Sequence, residues 1–492
     1  MPDLNLTPAG WLKLLNRKLD AQAAAVRLPE DYYNGRQRLA FATAKFREAF
    51  SRYFPPLANN WMRLIVEAPV SRLKVTGFRF DPDPDTPSWD IAADKDAWAL
   101  WQENNLDALS MMAHREAVKV GLCNLLVTPP APGTSDQPLI TVELASQSYV
   151  LTAAENRRKR LAAIKRWVDE GDDYAYCYLY LPDVVYRFRS AEKVRYGHPI
   201  SDVQWTRVQG DDPVLNNPIG VVPMIPLENT PDLRYGGRSD LEVGMPIQDA
   251  VNKYCLDMQV SSEFHAYPQR YATGWEDAVD TAGRPIPASQ VEMIASQTRL
   301  WRAVSAETEF GQLEAGDVSN YIRPIEMYVD HLAALTQTPA YYLKGQMANL
   351  SAEALHAADA GLVDRCEAKI NGGFSDGWED VMRVAFLAKG DTKRGNATNA
   401  EALWADPERK SLAQTVDAAV KMRTSLSVPL EMCWELLGWS PEKIRQAKSM
   451  MNLPDTPPRT PAVALQTQTP GGVILPGAGN GAAPPRLPST QA

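Results

Sequence analysis

The sequence predicts an α+β protein that is mainly helical and consists of several domains. Its 492 residues exceed the ~100 to 200 that one domain usually holds, so more than one core is expected. A hydrophobic content of 45% is sufficient to build such cores. Apolar residues recur at helical spacing toward both ends, whereas residues 138–230 form short β-rich segments separated by turn signals. We therefore expect helices around an antiparallel sheet.

The N-terminal region is expected to begin with a helix. Thr7 has the side chain of an N-cap, and Pro8 follows at the first helical position, where its missing N–H is tolerated. Asn34 and Gly35 then supply the backbone angles of a turn. Two further helices and a buried strand are predicted over residues 91–129.

Two charged segments are expected at the surface. The sequence DPDPD at residues 81–85 resembles the start of a calcium loop. Thr86 and Ala92, however, occupy positions where an EF-hand requires Gly and Glu, so a plain surface loop is expected. The basic run at residues 157–160 is interpreted as a solvated hairpin tip, with a nucleic-acid contact as the alternative.

The stretch 239–370 contains the most regular helical pattern. Helices are predicted over 246–264 and 321–335, and they bracket an excursion that contains Pro and Gly. One face of the first helix is apolar, and the other carries mostly acidic side chains. Ser239 lies three residues before Glu242, which is the spacing of a capping box.

A third helix is predicted from Ser351 to a C-cap at residues 371–373. The residues 373–377 that follow fit the G-x-S-x-G pattern of a serine hydrolase, with Ser375 as its nucleophile. That motif requires a strand before the serine and a histidine base after it, yet a helix precedes it and all 5 histidines lie upstream. We therefore reject a catalytic site. The sequence predicts neither a metal site nor a cofactor site.

Charge and composition exclude several functional classes. A net charge of -9 argues against tight, static binding to a phosphate backbone. The 5 cysteines are widely spaced in apolar runs, which favours buried thiols in a reducing compartment. No segment approaches the ~18 apolar residues of a membrane span, so no membrane partner is expected. Residues 452–492 contain nine prolines and three charged residues, which predicts a disordered tail.

Several stretches in order resemble the portal proteins of tailed bacteriophages, the siphophage type common in phages of Gram-positive and actinobacterial hosts. They are YYNGRQRL, NNWMRLIVEAPVSRLKVTGF, GRSDLEVGMPIQDAVNKYCLDMQVSSEFHAYPQRYATG, TPAYYLKGQMANLSAEALHAADAGLV and GWEDVMRVA. The resemblance implies a structural, non-enzymatic protein that forms a closed ring, dodecameric in that family. The ring would occupy the unique capsid vertex of the virion and be assembled in the host cytoplasm.

The resemblance also implies a division of the chain into the wing, stem, clip and crown of a portal fold. The implied parts are 1–245 (wing), 246–264 (first stem helix), 265–320 (clip), 321–337 (second stem helix), 338–350 (tunnel loop), 351–394 (long wing helix), 395–451 (crown) and 452–492 (disordered tail). Double-stranded DNA would pass through the channel without sequence readout. The implied protein partners are the terminase large subunit, a head-completion or adaptor protein, and the major capsid and scaffolding proteins.

Three groups of site residues follow from the resemblance. The tunnel loop would contact DNA through Gln337, Thr338, Tyr341, Tyr342, Lys344, Gln346 and Asn349. The stem would line the channel with Asp249, Lys253, Asp257, Glu326 and Asp330. The clip would dock the terminase through Arg270, Trp275, Arg284, Arg299 and Trp301. An acidic stem with a solitary Lys344 suits a channel in which DNA must slide, because each ion pair to phosphate slows it. A different head or tail structural protein and a hydrolase using Ser375 are the alternative functions.

Overall fold

In a computed structural model the chain contains both helices and antiparallel strands, and this confirms the α+β prediction. The structure describes residues 6–37, 59–80, 94–130, 136–195, 197, 200, 203–208, 213–233, 236–266, 270–273, 282–284, 309–312, 318–345, 352–408, 412–439 and 441–451. The predicted disordered tail, 452–492, lies outside these residues.

The N-terminal part is mainly helical. Its elements are α1 (Pro8–Tyr33), α2 (Trp61–Val70), β1 (Val75–Arg79), α3 (Lys95–Glu103) and α4 (Leu106–Val120). The Thr7 hydroxyl accepts a hydrogen bond from the Gly10 N–H at 3.3 Å, which confirms the predicted cap. The predicted turn forms, and Gly35 has a φ of +68°, but Asn34 has a φ of -85°, so the positive angle expected at Asn34 is wrong. The two helices and the strand expected over 91–129 are confirmed as α3, α4 and β2 (Leu122–Thr128).

The β-rich region contains two sheets, and the expectation of one sheet is wrong. A three-stranded antiparallel sheet has the order β10 (Met224–Glu228), β2 (Leu122–Thr128), β3 (Leu139–Glu143). A six-stranded antiparallel sheet consists of β4 (Ser148–Thr152), β5 (Arg160–Val168), β6 (Tyr174–Tyr180), β7 (Val184–Lys193), β8 (Trp205–Arg207) and β9 (Val214–Asn216). Because β2 is buried along nearly its whole length, it requires a neighbour on each edge, and it recruits β3 and β10.

The basic turn between β4 and β5 is only partly solvated. Arg158 is exposed, as predicted, and lies 3.6 Å from Asp376. Arg160 is mostly buried, and its guanidinium donates to Asp380 Oδ2 at 3.1 Å. The hairpin-tip interpretation is therefore wrong for Arg160, because β5 begins at this residue and its side chain reaches the half-buried carboxylate of Asp380.

Two helices flank the segment between residues 266 and 318, which contains most of the predicted clip. They are α5 (Met245–Ala266) and α6 (Ile322–Leu335), which follows a 3₁₀ turn, Val318–Tyr321. The rings of Tyr254 and Tyr328 lie 5.7 Å apart between the two helices. Within the excursion, β11 (Arg270–Thr273) pairs antiparallel with β12 (Glu309–Gln312). Both predicted helices are confirmed to within two residues at each end.

The predicted capping box does not form. The Ser239 hydroxyl donates to the Lys119 carbonyl at 2.6 Å and accepts from the Leu241 N–H, while Glu242 forms an ion pair with Arg238 at 3.2 Å. The helix begins only at Met245. A tertiary contact with the end of α4 therefore replaces the local cap.

The C-terminal half begins with one kinked helical run rather than with a capped helix. Helix α8 (Ala352–Lys369) continues through a π turn (Ile370–Phe374) into α9 (Ser375–Lys389), so the predicted C-cap is wrong. Gly373 has a φ of 171°, which is extended backbone. A Cβ there would lie 2.7 Å from the Glu228 carbonyl oxygen. The glycine is thus required by close packing on β10 and not by a left-handed cap.

The last described elements return to the N-terminal part. They are α10 (Thr392–Gly395), β13 (Glu401–Trp404), α11 (Leu412–Ser425), α12 (Leu430–Leu436) and α13 (Pro441–Met451). Strand β13 pairs antiparallel with β1, so the region predicted as the crown is joined to the wing by a backbone ladder.

The main core lies between α2, α3, α4, β1, β2 and α9. Its largest fully buried side chains include Phe78, Trp101, Phe374 and Trp378. A second core lies between α1 and one face of the six-stranded sheet, where Leu15 and Leu19 are fully buried. All five cysteines are free and buried, as the sequence predicted.

Candidate channel site and its anchors

The predicted tunnel loop begins as an ordered part of the protein. Residues 336–345, called the loop base here, turn at Gln337, which has a φ of 49°, and then form the short helix α7 (Ala340–Lys344). The Thr338 N–H donates to the Ala333 carbonyl at 3.0 Å and so ties the turn to α6. The remaining residues of the predicted loop, including Gln346 and Asn349, lie outside the described residues.

A buried cluster of charges, called the Asp240 network, lies beneath the loop base. It consists of Asp240, Arg365, Lys369 and Asn229. The Arg365 Nε donates to Asp240 Oδ2 at 3.0 Å, and the Lys369 ammonium donates to Asp240 Oδ1 at 2.8 Å. Lys369 also donates to Asn229 Oδ1 at 2.7 Å, and its side chain is only 2% exposed. Burial alone would raise the pKa of Asp240, but the two cations outweigh it and lower that pKa to about 2.

Arg365 connects three elements through its remaining donors. Nη1 donates to the Thr336 carbonyl at 2.8 Å and to the Thr338 hydroxyl at 3.3 Å. Nη2 donates to the Ile65 carbonyl at 3.2 Å. One guanidinium on α8 therefore holds the loop base against α2, which is possible because its five N–H groups form a rigid fork.

A second anchor holds the far end of the loop base. Arg72 forms a buried ion pair with Asp359 at 2.7 Å, and the Tyr341 hydroxyl donates to the other oxygen of Asp359 at 2.5 Å. The Tyr342 hydroxyl accepts from Arg72 at 3.4 Å. The Trp61 indole N–H donates to the Leu343 carbonyl at 3.1 Å. These contacts fix α7 to α2 and α8.

The structure changes the roles of several predicted DNA contacts. Thr338 is only 3% exposed, so its predicted contact with DNA is wrong; the hydroxyl is part of the Arg365 anchor. Tyr341 and Tyr342 direct their hydroxyls into the protein. Gln337 and Lys344 are exposed. Lys344 is not solitary, because its ammonium pairs with Asp330 at 2.6 Å.

The predicted channel-lining residues of the stem divide between two environments. Asp249 is half-buried and accepts a hydrogen bond from the Tyr32 hydroxyl at 2.7 Å, so one of its carboxylate oxygens is directed at α1, and its channel-lining role stays a prediction. Burial raises the pKa of Asp249, since this single hydrogen bond only partly offsets the lost hydration. Lys253 and Asp257 pair with each other along α5. Glu326 and Asp330 are exposed on α6.

The predicted clip residues are only partly described. Arg270 lies on β11, opposite Gln312 of β12, and Arg284 is exposed. The other three predicted residues, Trp275, Arg299 and Trp301, lie outside the described residues.

The surroundings of Ser375 do not resemble a hydrolase site. Its hydroxyl accepts a hydrogen bond from the Trp404 indole at 2.9 Å, at a junction between helical segments. The nearby His114 accepts a hydrogen bond on Nε2 from the Trp378 indole at 2.9 Å. Burial lowers the pKa of His114 to about 3, so the imidazole is neutral at physiological pH. A general base needs a free, basic nitrogen directed at the nucleophile, and this histidine has its lone pair occupied.

The described residues meet the requirements of neither a metal site nor a membrane span. No group of three or more His, Cys, Asp or Glu side chains in the described ranges is arranged to hold a metal ion. None of the described helices combines the length and the apolar composition needed to cross a membrane. What the described residues do bring together is a loop base held by buried ion pairs at the end of two packed helices.

Residues 12–450 match the family model "Phage portal protein, SPP1 Gp6-like". The chain belongs to this family of phage portal proteins. It is therefore a structural, non-enzymatic virion component.

Two curated relatives and two solved structures are similar to the chain. The portal protein of Mycobacterium phage D29 is 28% identical over 392 residues, covering 77% of this chain and 76% of the relative. The portal protein of Mycobacterium phage L5 is 26% identical over 441 residues, covering 87% of this chain and 85% of the relative. Chains from the neck of an empty GTA particle (C6 symmetry) and of a native GTA particle (C12 symmetry) are each 12% identical. The chain from the empty particle has a TM-score of 0.41 and the match covers 80% of this chain and 89% of that one. The chain from the native particle has a TM-score of 0.39 and the match covers 76% of this chain and 88% of that one. These scores are too low to add to the family assignment.

The sequence pattern missed the residues that anchor the loop base. Arg365 and Lys369 are four residues apart on α8. They lie beside the apolar stripe of that helix, which is formed in part by Leu362 and Cys366. Cations beside the buried stripe of a helix require a carboxylate partner, and that signal could have pointed to them. Their partner Asp240 is 125 residues from Arg365 in the sequence, so no local pattern identifies it.

Proposed function

We propose that copies of this chain form a ring, dodecameric as in the family, at the unique vertex of the capsid. Double-stranded DNA passes through it during packaging and ejection. The loop base carries the proposal, because it is held on two buried ion pairs at the end of a stem helix while Gln337 and Lys344 within it are exposed. A loop base supported in this way presents Gln337 and Lys344 at a fixed position, and residues 346–350 follow it in the sequence.

Charge on the exposed part of the stem supports passage without sequence readout. Glu326 and Asp330 are exposed on α6, and Lys344 is neutralised by Asp330. Each Lys or Arg that binds a phosphate releases counterions and deepens the binding well. A surface on which the cation is already paired keeps these wells shallow, and DNA can slide.

The docking functions are proposed for the clip, residues 265–320, and for the wing, residues 1–245. The β11–β12 ladder closes the excursion at the ends of α5 and α6, which supports a separate module that binds the terminase large subunit and later a head-completion or adaptor protein. The major capsid and scaffolding proteins are proposed to contact the wing. Assembly is proposed to take place in the host cytoplasm.

Electron microscopy of the purified full-length chain is the direct test of the ring. We expect class averages with a central hole that is wide enough for a DNA duplex. A monomer that persists across a concentration series covering the micromolar range in sedimentation experiments would contradict the proposal.

The loop gives a functional prediction. We expect replacement of residues 346–350 by a shorter glycine linker, or Lys344→Ala, to leave ring formation and the melting temperature unchanged, because both anchors of the loop base remain. DNA packaging should fall severalfold, because the linker removes residues proposed to contact DNA and Lys344→Ala leaves the negative charge of Asp330 uncompensated near the phosphates. Packaging is measured as nuclease-protected DNA when the variants complement a phage that lacks its portal.

Lys421→Ala is the matched control for Lys344→Ala, since Lys421 is also exposed and pairs with an aspartate, Asp417, at 2.6 Å. It should package DNA normally. Normal packaging by both loop variants would remove the loop from the DNA path, and loss of rings would assign it a structural role instead.

A further inference from the structure

One face of the six-stranded sheet carries alternating aromatic and basic side chains. The register places Tyr178 between Lys165 and Arg187 in one row, and Tyr176 between Trp167 and Arg189 in the next. This set is called the aromatic platform: Lys165, Trp167, Tyr176, Tyr178, Arg187 and Arg189. Side chains at alternate positions of the same strands pack on α1. The platform is therefore on the side of the sheet away from α1.

The platform is ordered and only half-buried. The ring of Trp167 stacks on Tyr176 with centroids 5.7 Å apart and meets Tyr178 edge-on at 4.9 Å. Arg187 lies over the Tyr178 ring at 5.4 Å, and Arg189 lies over Tyr174 at 4.3 Å. Aromatic rings and guanidinium groups held in this way are the side chains most enriched at the centres of protein interfaces.

Within the described residues, the two arginines of the platform form no ion pair. Lys165 pairs with Glu143 at 2.7 Å, whereas neither Arg187 nor Arg189 lies within ion-pairing distance of an acidic side chain in the described part of the chain. The Nε of Arg187 is buried and has no hydrogen-bond acceptor. Two half-buried guanidinium groups without an ion pair on one face suit a partner that supplies carboxylates.

The same chain contains a segment with matching chemistry. Residues 81–93, DPDPDTPSWDIAA, contain four aspartates, three prolines and a tryptophan, and no Lys or Arg. Carboxylates suit the guanidinium groups, and prolines in extended Pro-rich sequences are recognised by aromatic surfaces. The Asp94 N–H donates to the Phe78 carbonyl at 2.8 Å, so the chain leaves and returns at one place on the body.

We propose that residues 81–93 of one copy dock on the aromatic platform of the neighbouring copy. The proposal rests on the proposed ring, in which each copy presents one surface to the next and a different surface to the previous one. A nucleic acid is the less suitable occupant, because Asp169, Glu170, Asp172 and Asp173 lie in the β5–β6 turn beside the platform and repel a continuous phosphate backbone.

Charge exchange tests the contact in the full chain. We expect Arg187→Glu with Arg189→Glu to weaken association between copies by roughly tenfold or more, because like charges would face each other. Asp81→Lys with Asp83→Lys and Asp85→Lys should have the same effect, and the two sets of substitutions combined should restore association, as measured by sedimentation. Arg17→Glu with Lys18→Glu is the matched control, since both residues are exposed on α1 and the change in charge is equal. This control should associate normally.

Cross-linking is a second test that does not depend on weakened assembly. Because all five native cysteines are buried, Asp83→Cys combined with Arg189→Cys introduces two new thiols against a low background. Oxidised rings should yield a ladder of disulfide-linked multimers. Rings that form only intrachain bonds or none would overturn the docking proposal, as would loss of DNA binding by the arginine variant with its rings intact. Absence of rings from the unmodified chain would contradict the proposed function itself.

Discussion

Replacing Asp240 by asparagine is expected to lower the free energy of unfolding by about 3 to 5 kcal/mol, the usual cost of removing one partner from a buried ion pair. Asparagine nearly preserves the shape but leaves Arg365 and Lys369 buried without a counter-charge. Chemical denaturation followed by tryptophan fluorescence would measure the loss. Asp330→Asn is the matched control: it removes the partner of the exposed Lys344, and its expected cost is at most about 1 kcal/mol.

The same network gives a pH dependence with a defined sign. The pKa of Asp240 is lowered to about 2 in the folded chain, compared with ~3.9 for an aspartate in an unfolded chain. The unfolded chain therefore takes up this proton first as the pH falls, and the stabilisation present above pH ~4 is lost as the pH approaches about 2. Asp240→Asn should lose this part of the acid response. Equal acid dependence in the variant and the unmodified chain would contradict the assignment.

Replacing Gly237 by alanine is expected to destabilise the chain by about 3 kcal/mol or more, since the added methyl group would overpack a closed site. A Cβ at Gly237 would lie 2.0 Å from the carbonyl oxygen of Gly121, which is backbone and cannot turn aside. Gly121 itself has a φ of +102°, which an alanine adopts only with strain. The Asn229 N–H bonds that carbonyl oxygen at 2.8 Å, so separating the two backbones would also displace the Asp240 network.

Thermal unfolding and ring formation would both measure the effect of Gly237→Ala. Gly372→Ala is the matched control, because a Cβ at Gly372 meets nothing within 4 Å and the substitution adds the same atoms. We expect the control to unfold within a few degrees of the unmodified chain. A Gly237→Ala variant that is as stable as the control would show that the crossing of the two backbones is loosely packed.

Local patterns predicted the helices well but not the contacts between them. The cap at Thr7 and the limits of α5 and α6 depend on neighbouring residues, and the sequence contains that information. The partner of Lys344 is Asp330, and the partner of Arg365 is Asp240; each pair depends on how separate elements are packed. Composition could therefore suggest an acidic stem with a lone cation, but it could not show that the cation was already neutralised.

The G-x-S-x-G sequence shows that a local pattern can also indicate a function that the packing does not support. Its pattern is that of a catalytic turn, yet a Cβ at Gly377 would lie 2.6 Å from Leu227 Cδ1, so this glycine is needed where α9 crosses β10. A motif is defined by residue types and spacing, and packing against a distant strand can produce the same spacing. Similarly, the burial of β2 on both faces decided that two sheets form where the β-rich pattern indicated one.

The two anchors of the loop base have a mechanical consequence under the proposed function. Drag from moving DNA on residues 346–350 would pass into the body through Arg365 at one end of the loop base and through Asp359 at the other. Because the two attachments share the load, pulling the loop base free requires both ion-paired contacts to break together. The loop base would then act as a rigid support for the part of the loop that follows Gly345 in the sequence.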